Sequence, residues 1–319
     1  MNDILFEDLP LNKELVQQIN IKLVELGFLD PLFECSLVGK PGPLLHYKAS
    51  NGIVSPLDAN HNFYSEWSLD SAQALKQWMA LNQLLSIDTK ILSGSVLNTL
   101  FAAETYELAF NKFDADTRLA FKVAKKMQYE GFYINRGLGI NTVYLEGVDI
   151  NGVENKDQAN YWNDLCVWFT VSPGGIVNLV GKAICTTEPG KYYTDNPTNK
   201  KGAARIAFGQ YKAWIYGFHK GKQPALIQAK KLKVHRDTDH STTRSKKDTI
   251  QIVTGVGINL HSTGPGLKPK TVGKFSAGCL VIYDYDLHME WLTRVTQSDY
   301  RAKVANYVHI AAVMAGPIN

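Results

Sequence analysis

The chain divides near residue 130 into a part whose apolar residues recur with helical spacing and a part whose apolar residues form short runs. In the first part, apolar residues three and four positions apart share one face of a helix. The pattern predicts helices that begin after Asn12, near Ser68 and at Ser93, with Gly27 ending the first. A connecting helix is expected after Asp114. We therefore expect a small N-terminal three-helix bundle followed by a helical connector.

The second part is punctuated by glycine and proline, which is typical of strands joined by turns. Only Leu287–Thr296 has helical spacing there. We therefore predict an α+β protein of two domains. The second domain is expected to be mainly β, either a sandwich or a partly open barrel. The expected boundaries are 1–105 for the helical domain, 106–130 for the connector and 131–319 for the β domain. The candidate strands are Ile140–Leu145, Asp164–Val171, Ile176–Ala183, Ala203–Phe208, Lys212–Gly217, Leu232–Val234, Ile250–His261, Cys279–Tyr283 and Tyr307–Ala315.

The stretch Gly255–Asp284 contains the candidate chemistry of the chain. His261 closes one predicted strand and Cys279 opens the next, with a loop between them. A cysteine becomes a nucleophile when a nearby imidazole takes its proton and favours the thiolate. The small residues of Ser276–Gly278 let backbone amides approach an oxyanion closely. We therefore predict nucleophile, base and oxyanion hole in one hairpin-like unit; the alternative is a buried apolar cysteine and a surface histidine.

The same residues resemble the active-site signature of the L,D-transpeptidases, the YkuD-type catalytic domain. Their pattern is a histidine, a loop of roughly fifteen residues, and then Ser/Thr-His-Gly-Cys. Here fourteen residues separate His261 from Ser276-Ala-Gly-Cys279. The resemblance implies a cysteine enzyme acting on peptidoglycan stem peptides, with Cys279 as nucleophile, His261 as base and Ser262 as the neighbour that orients the imidazole. It also implies an oxyanion hole formed by the amides of Ala277, Gly278 and Cys279.

Two positions depart from the family pattern, and other residues are candidates to replace them. Ala277 stands where the family has a second histidine, and Val281 stands where many members have arginine. His219 is our candidate donor to a stem-peptide carboxylate or carbonyl; the alternative is an exposed turn histidine. Arg236 is our candidate cation, because a guanidinium binds a carboxylate through two parallel hydrogen bonds.

A divergent branch of the family has a Ser-Ala-Gly-Cys core and an upstream Thr-Thr-Asp/Glu-Pro-Gly element, and this chain is similar to it. Thr186–Gly190 matches that element, and Gly209–Tyr211 matches a second one. Either segment lines a substrate groove or forms strand ends and a turn. Tyr211 and Ser276 complete the predicted substrate-binding residues.

Composition and charge narrow the classes of partner. With 45% hydrophobic and 20% charged residues, the chain is an ordinary globular protein. Its net charge of +4 does not indicate nucleic acid, but it favours an anionic polymer such as the cell wall. We expect neither metal nor cofactor: no C-x-x-C pair occurs, basic residues interrupt the acidic loop Asp237–Asp248, and no spacing supports a metal hydrolase built on His219, His235 and His261.

The helical part resembles the type 1 peptidoglycan-binding domain over roughly residues 12–103, with its Leu-Gly-Phe element at Leu26–Phe28. The resemblance implies that this part binds peptidoglycan, glycan included; the alternative is a helical scaffold without a ligand.

The N-terminus has acidic residues where a signal peptide is basic, and no apolar run is long enough to insert into a membrane. We therefore expect synthesis in the cytoplasm without a cleavable signal, and action in the periplasm or cell wall after phage-type release or injection. A secretion or injection apparatus and an immunity protein are further candidate partners. This interpretation favours a lysin or effector with L,D-carboxypeptidase or endopeptidase activity. The alternatives are an L,D-transpeptidase and a non-catalytic wall-binding protein.

Overall fold

A computed structural model of the protein describes residues 2–25, 67, 69–82, 84, 90–103, 114–135, 139–171, 177–297 and 308–318. The chain forms two compact units. The helical unit comprises Met1–Arg118 with Val171–Val177, and the barrel unit comprises Leu119–Thr170 with Asn178–Asn319. The described residues show an α+β protein with a large mixed β-sheet, as the sequence predicts at the level of fold class.

The helical unit contains the three predicted helices, α1 (Lys13–Glu25), α2 (Leu69–Leu81) and α3 (Gly94–Ala102). Asn12 and Ser93 begin α1 and α3 as predicted, because the side-chain oxygen of each accepts a hydrogen bond from a first-turn amide. Two short strands, β1 (Ile4–Leu5) and β2 (Ile91–Leu92), pair beside them. Gly27 and Leu26–Phe28 lie outside the described residues. The buried apolar side chains of this unit include Leu9, Val16, Ile19, Leu23, Leu75, Trp78, Leu92, Leu97 and Leu100.

The predicted connecting helix is α4 (Ala115–Tyr129). Asp114 begins it by accepting hydrogen bonds from the Thr117 amide and hydroxyl, at 2.8 and 2.7 Å, which lower the pKa of its carboxyl. Leu119 and Val123 are buried, in agreement with a face that packs on the β structure.

The barrel strands are β3 (Asn141–Glu146), β4 (Asp164–Val171), β5 (Val177–Thr186), β7 (Gly209–His219), β8 (Gln223–Gln228), β11 (Leu260–Ser262), β12 (Leu280–Ile282) and β13 (His309–Ala315), and a smaller sheet contains β6 (Ala203–Ile206), β9 (Leu232–Asp237) and β10 (Thr249–Val253). The eight barrel strands form a closed barrel in the order β11-β12-β5-β4-β3-β13-β7-β8. A three-stranded sheet, β10-β9-β6, accompanies it, together with α5 (Lys191–Asp195) and α6 (Tyr285–Gln297). Among the described residues, no helix has both the length and the apolar character needed to cross a membrane.

The structure differs from the predicted strands in closure and in two segments. The sheet closes on itself because β8 lies between β7 and β11, and β8 was not among the predicted strands: its proline and two glutamines hide its apolar pattern. The predicted strand Ile250–His261 is two strands, β10 and β11. Gly255 and Gly257 separate them with φ values of 68° and 79°, which an extended strand does not tolerate.

The strands that carry the candidate chemistry run parallel, so the predicted hairpin-like unit is wrong. Leu260 pairs with Leu280, and residues 263–279 cross over between the two strands. Leu260 and Leu280 belong to the apolar core. Because side chains alternate between the faces of a strand, His261 and Cys279 lie on the opposite face. The same register places Asn259 beside Cys279.

Candidate active site

The structure brings Cys279, His261 and His219 together. Cys279 Sγ and one ring nitrogen of each histidine lie within 4.8 Å of one another. Cys279 is 7% exposed and His261 is 3% exposed. The two imidazoles stack with their centroids 3.9 Å apart and their planes 14° from parallel. His219, which the sequence placed at a separate strand end, is therefore part of the same site.

His261 is oriented as a base by the backbone of its neighbour. Its Nδ1 lies 2.8 Å from the Ser262 carbonyl oxygen, which can only accept, so Nδ1 carries the proton. The lone pair of the neutral ring is then on Nε2, which is buried and has no hydrogen-bond partner among the described residues. Burial, with the adjacent His219 contributing, lowers the pKa of His261 to about 3. The resting imidazole is therefore neutral, with an unprotonated Nε2.

Cys279 is a neutral thiol in the resting site. Its S–H group donates to the Gly257 carbonyl at 3.2 Å, and the Asn259 amide donates to Sγ at 3.4 Å. Burial raises the pKa of the Cys279 thiol to about 11, and the Asn259 amide and the positive charge of Lys220 offset only part of this rise. A thiolate favoured in advance by the imidazole, as we expected from the sequence, is therefore not the resting state. Proton transfer to His261 has to accompany attack.

Ser276 and Gly278 shape the loop that precedes the cysteine. Ser276 Oγ donates to the Cys279 carbonyl at 2.8 Å and accepts from the Gly278 amide at 3.1 Å. The Gly278 amide is thus engaged inside the turn rather than free for an oxyanion, a correction to the predicted hole. The amides of Ala277 and Cys279 donate to no other residue that the structure describes. Ser276, predicted to bind substrate, is fully buried and stabilises the turn.

Gly278 is required by its surroundings. Its φ is +120°, and a Cβ atom there would lie 2.3 Å from the Ala204 carbonyl oxygen. Any other residue would push strand β6 away from the loop, because the obstacle is backbone.

Two residues near the site were not identified from the sequence. Gln223 donates to Ser262 Oγ at 2.6 Å and to the Ser262 carbonyl at 3.1 Å, so it supports the residue that orients His261. Asn259 contacts both Cys279 and His219. The sequence could have indicated Asn259, because it lies two residues before His261 and therefore on the same face of an extended strand.

Two predicted substrate-binding residues, Arg236 and Tyr211, are hydrogen-bonded to other parts of the fold. Arg236 is 4% exposed and donates to Gln251 at 3.2 Å and to the Gly202 carbonyl at 3.4 Å. The Tyr211 hydroxyl donates to the Ala207 carbonyl at 2.9 Å, and burial raises its pKa to about 12. The cation whose charge acts on the thiol and on both histidines is Lys220, which is exposed.

Thr186–Gly190 supports the active-site loop from inside the fold. The Gly190 amide donates to the Ser276 carbonyl at 2.9 Å, and a Cβ atom on Gly190 would lie 2.2 Å from the Gly273 carbonyl oxygen. All five residues of the segment are buried. Of the two predicted roles, strand end and turn therefore describes this segment better than groove lining.

Three groups of described side chains have the spacing of metal ligands. The cysteine and two histidines of the candidate site are of the types that bind zinc. In the second group, Arg205 pairs with Glu188 and Arg244 pairs with Glu146, whereas Asp157 Oδ1 is buried with no partner among the described residues. The third group lies in the predicted solvated loop, where serine amides and hydroxyls bind its carboxylates. The second and third groups are Glu146, Asp157 and Glu188, and Asp237, Asp239 and Asp248.

Searches of protein-family models, curated proteins and solved structures found no match to this chain. The likeness to L,D-transpeptidases and to a peptidoglycan-binding domain therefore depends on the residues named above.

Proposed function

We propose that this protein is a cysteine enzyme that cleaves peptidoglycan stem peptides through an acyl-enzyme on Cys279. One observation supports the proposal: the Cys279 thiol lies within 4.8 Å of a ring nitrogen of His261, and the Nε2 of that ring is buried with no hydrogen-bond partner among the described residues, in a tautomer that the Ser262 carbonyl sets. A nucleophile, a base and a residue that orients the base form the arrangement that covalent catalysis requires.

The reaction proceeds in two halves. Cys279 Sγ attacks the carbonyl carbon of an L,D-peptide linkage while its proton moves to His261 Nε2. The amides of Ala277 and Cys279 stabilise the tetrahedral oxyanion. When the intermediate collapses, the C–N bond breaks and the leaving amine takes the proton from His261, which leaves a thioester. His261 then deprotonates a water molecule, and hydroxide attack on the thioester releases a carboxylic acid and the free thiol.

The charge around the site supports an acidic substrate. Lys220 is exposed, and its charge acts on Cys279, so a carboxylate bound near the thiol gains a favourable interaction. Stem peptides are rich in carboxylates. In this proposal Lys220 takes the role that we first assigned to Arg236.

Hydrolysis is the favoured outcome within this proposal. Water needs no second binding site, whereas transfer to an amine needs an acceptor subsite. We further propose that the helical unit is a three-helix peptidoglycan-binding domain that delivers the enzyme to the wall, and that the protein acts in the periplasm as a lysin or injected effector. The order of α1, α2 and α3 supports the first of these statements.

Digestion of purified sacculi by the full-length protein tests the proposal, with muropeptides identified by mass spectrometry. We expect shortened stems with the wild type and with Cys185→Ala, a matched change at a buried core cysteine, and none with Cys279→Ala. A carbapenem probe should form an adduct at Cys279.

Two other results would replace the proposal. New cross-links or exchanged D-amino acids without shortened stems would indicate a transpeptidase. Sacculi that remain intact while the wild type sediments with them, with no adduct at Cys279, would indicate a non-catalytic wall-binding protein.

A further inference from the structure

Asn259 uses its backbone and its side chain to connect the groups of the site. Its amide donates to Cys279 Sγ at 3.4 Å, and its carbonyl accepts from the Leu280 amide at 3.0 Å. Its side-chain Oδ1 accepts from the Gln228 amide at 3.0 Å, and its Nδ2 lies 3.0 Å from His219 Nδ1. Every polar group of this residue therefore has a defined partner.

These partners determine the tautomer of His219. A backbone N–H can only donate, so the atom of Asn259 that faces Gln228 has to be the oxygen. The atom that faces His219 is then the amide nitrogen, which can only donate. His219 Nδ1 is consequently an acceptor, and the proton of the neutral ring lies on Nε2.

The tautomer assignment requires a neutral His219 ring. Burial lowers its pKa, and the neighbouring Lys220 charge lowers it further. The ring therefore does not become a cation near neutral pH, and its two nitrogens keep distinct roles.

The two stacked histidines have opposite tautomers. The Ser262 carbonyl holds the proton of His261 on Nδ1, which leaves a lone pair on Nε2. The Asn259 amide leaves the proton of His219 on Nε2. His261 thus presents a hydrogen-bond acceptor, and His219 presents a hydrogen-bond donor.

We infer that Asn259 is a positioning residue that makes His219 a hydrogen-bond donor to the carbonyl oxygen of the substrate attacked at Cys279. His219 Nε2 makes no hydrogen bond to the residues that the structure describes, so it is available to a ligand. Because the Gly278 amide is engaged by Ser276, the site lacks one of the expected oxyanion donors. His219 supplies a replacement from another strand. The donor role depends on the proposed function; the tautomer assignment does not.

The tautomer of His219 also distinguishes a hydrogen-bond donor from a metal ligand. A metal ion binds the lone pair of a neutral imidazole nitrogen. In His219 one nitrogen is occupied by the Asn259 amide and the other carries the proton. Metal binding there would have to break the Asn259 contact.

Histidine ¹⁵N NMR of the full-length protein tests the tautomer directly, because protonated and unprotonated ring nitrogens have different shifts. We expect a protonated Nε2 on His219 in the wild type. In Asn259→Asp the carboxylate keeps the bond from Gln228 but accepts from His219, so the proton should move to Nδ1. Asn199→Asp, an exposed site, is the matched control and should leave the tautomer unchanged. A wild-type ring protonated on Nδ1, or an unchanged tautomer in Asn259→Asp, would overturn the assignment.

Kinetics on muropeptides test the donor role. Loss of one oxyanion donor typically lowers kcat on the order of 10²-fold. We expect that loss, with little change in KM, in Asn259→Asp and in His219→Asn. His219→Gln, whose amide places a donor near the Nε2 position, should retain more activity. Unchanged kcat in Asn259→Asp with an inverted tautomer would overturn the donor role, as would stoichiometric zinc binding by the wild type that His219→Gln abolishes.

The NMR result separates this inference from the proposed function. If the wild type has the expected tautomers but cleaves no muropeptide, the assignment of Asn259 stands and the donor role falls with the proposed function. If the wild type cleaves muropeptides with His219 protonated on Nδ1, the proposed function stands and this inference is wrong.

Discussion

The barrel unit buries polar side chains in two regions, and the hydrogen bonding and protonation of these side chains differ between the two. One is the candidate site around Cys279 and His261. The other, which we call the ionic cluster, consists of Glu146, Asp164, Glu188, Arg205 and Arg244. In the ionic cluster, Arg244 donates to both oxygens of Glu146 at 2.8 and 2.6 Å, and Arg205 pairs with Glu188 at 2.8 Å. Asp164 accepts from the Gly147 amide and from Thr187.

In the ionic cluster, Arg244 keeps the Glu146 carboxylate charged, whereas burial raises the pKa of Glu188 to about 9 and the pKa of Asp164 to about 7. Burial alone raises the pKa of Glu146, but the hydrogen bonds and charge of Arg244 outweigh it, so the pKa is lowered and the carboxylate stays ionised. The candidate site instead buries neutral groups, a thiol with a raised pKa and an imidazole with a lowered one. The Nε2 of His261 has no hydrogen-bond partner among the described residues, and in the proposed reaction it accepts a proton. The carboxyls of the ionic cluster therefore have arginine or amide partners, whereas the candidate site is distinguished by a buried imidazole nitrogen with no hydrogen-bond partner among the described residues.

A lowered histidine pKa alone does not mark the site. Burial also lowers the pKa of His309 to about 3, but the Nε2 of that ring is hydrogen-bonded to Thr142 at 3.1 Å. We therefore expect His261→Ala to lower kcat by about 10²–10⁴-fold, the usual contribution of a general base. His309→Gln should retain activity per folded molecule. Equal losses of turnover in the two variants, measured on muropeptides and corrected for folded fraction, would remove the distinction.

The ionic cluster should respond in stability rather than in chemistry. Arg205→Met leaves Glu188 buried without its partner, which we expect to destabilise the fold by about 3–5 kcal/mol. The double variant Arg205→Met/Glu188→Leu removes both buried partners and should recover most of that loss. Urea unfolding measures both. A single variant as stable as the wild type would show that the pair contributes little.

Alkylation of Cys279 distinguishes the neutral pair from a preformed thiolate. Because burial raises the pKa of the thiol to about 11, the thiolate fraction at pH 7 is small and rises about tenfold per pH unit. The iodoacetamide rate at Cys279 should therefore increase about 10²-fold between pH 7 and pH 9. Cys185, buried in the core, is the control and should react only on unfolding.

Peptide mapping of the alkylated protein would also detect the opposite result. A rate that levels off below pH 7, and a thiol pKa that rises in His261→Ala, would show an imidazolium beside a thiolate. The neutral resting pair would then be wrong.

The smallest expected effect separates close packing from backbone strain. Gly278→Ala places a methyl group against the Ala204 carbonyl oxygen and should cost about 2–3 kcal/mol. Gly266 also has a positive φ, +71°, but open space around it, so we expect Gly266→Ala to cost about 1 kcal/mol. Thermal unfolding compares the two variants. Equal shifts in Tm would mean that the approach of β6 to the loop is not tight.

Local interactions explain what could be predicted of the fold. Asn12, Ser93 and Asp114 begin helices because each side chain binds an amide within the next turn, a contact visible in the sequence. The strand Asp164–Val171 was predicted with its observed bounds because it contains the unbroken apolar run Leu165–Phe169. β8 could not be predicted in this way. Its place depends on pairing with β7 and β11 on either side.

The sequence by itself determined the kinds of groups in the candidate site and their order along the chain. Cys279, His261 and the small residues between Ser276 and Cys279, together with their resemblance to the L,D-transpeptidase signature, are the basis of the predicted acyl-transfer chemistry. The tertiary structure decided how those groups are used. It made the strands parallel, engaged the Gly278 amide, buried Arg236 among its own partners, and brought His219 and Asn259 from neighbouring strand positions.

The physical reason is that burial and hydrogen-bond direction depend on residues distant in sequence. The proton of His261 is placed by its sequence neighbour, but its low pKa comes from desolvation by the folded chain and from His219. The proton of His219 is placed by Asn259, whose own orientation depends on a Gln228 amide in another strand. A motif specifies which atoms react, whereas the packed strands specify which of those atoms hold protons before the reaction begins.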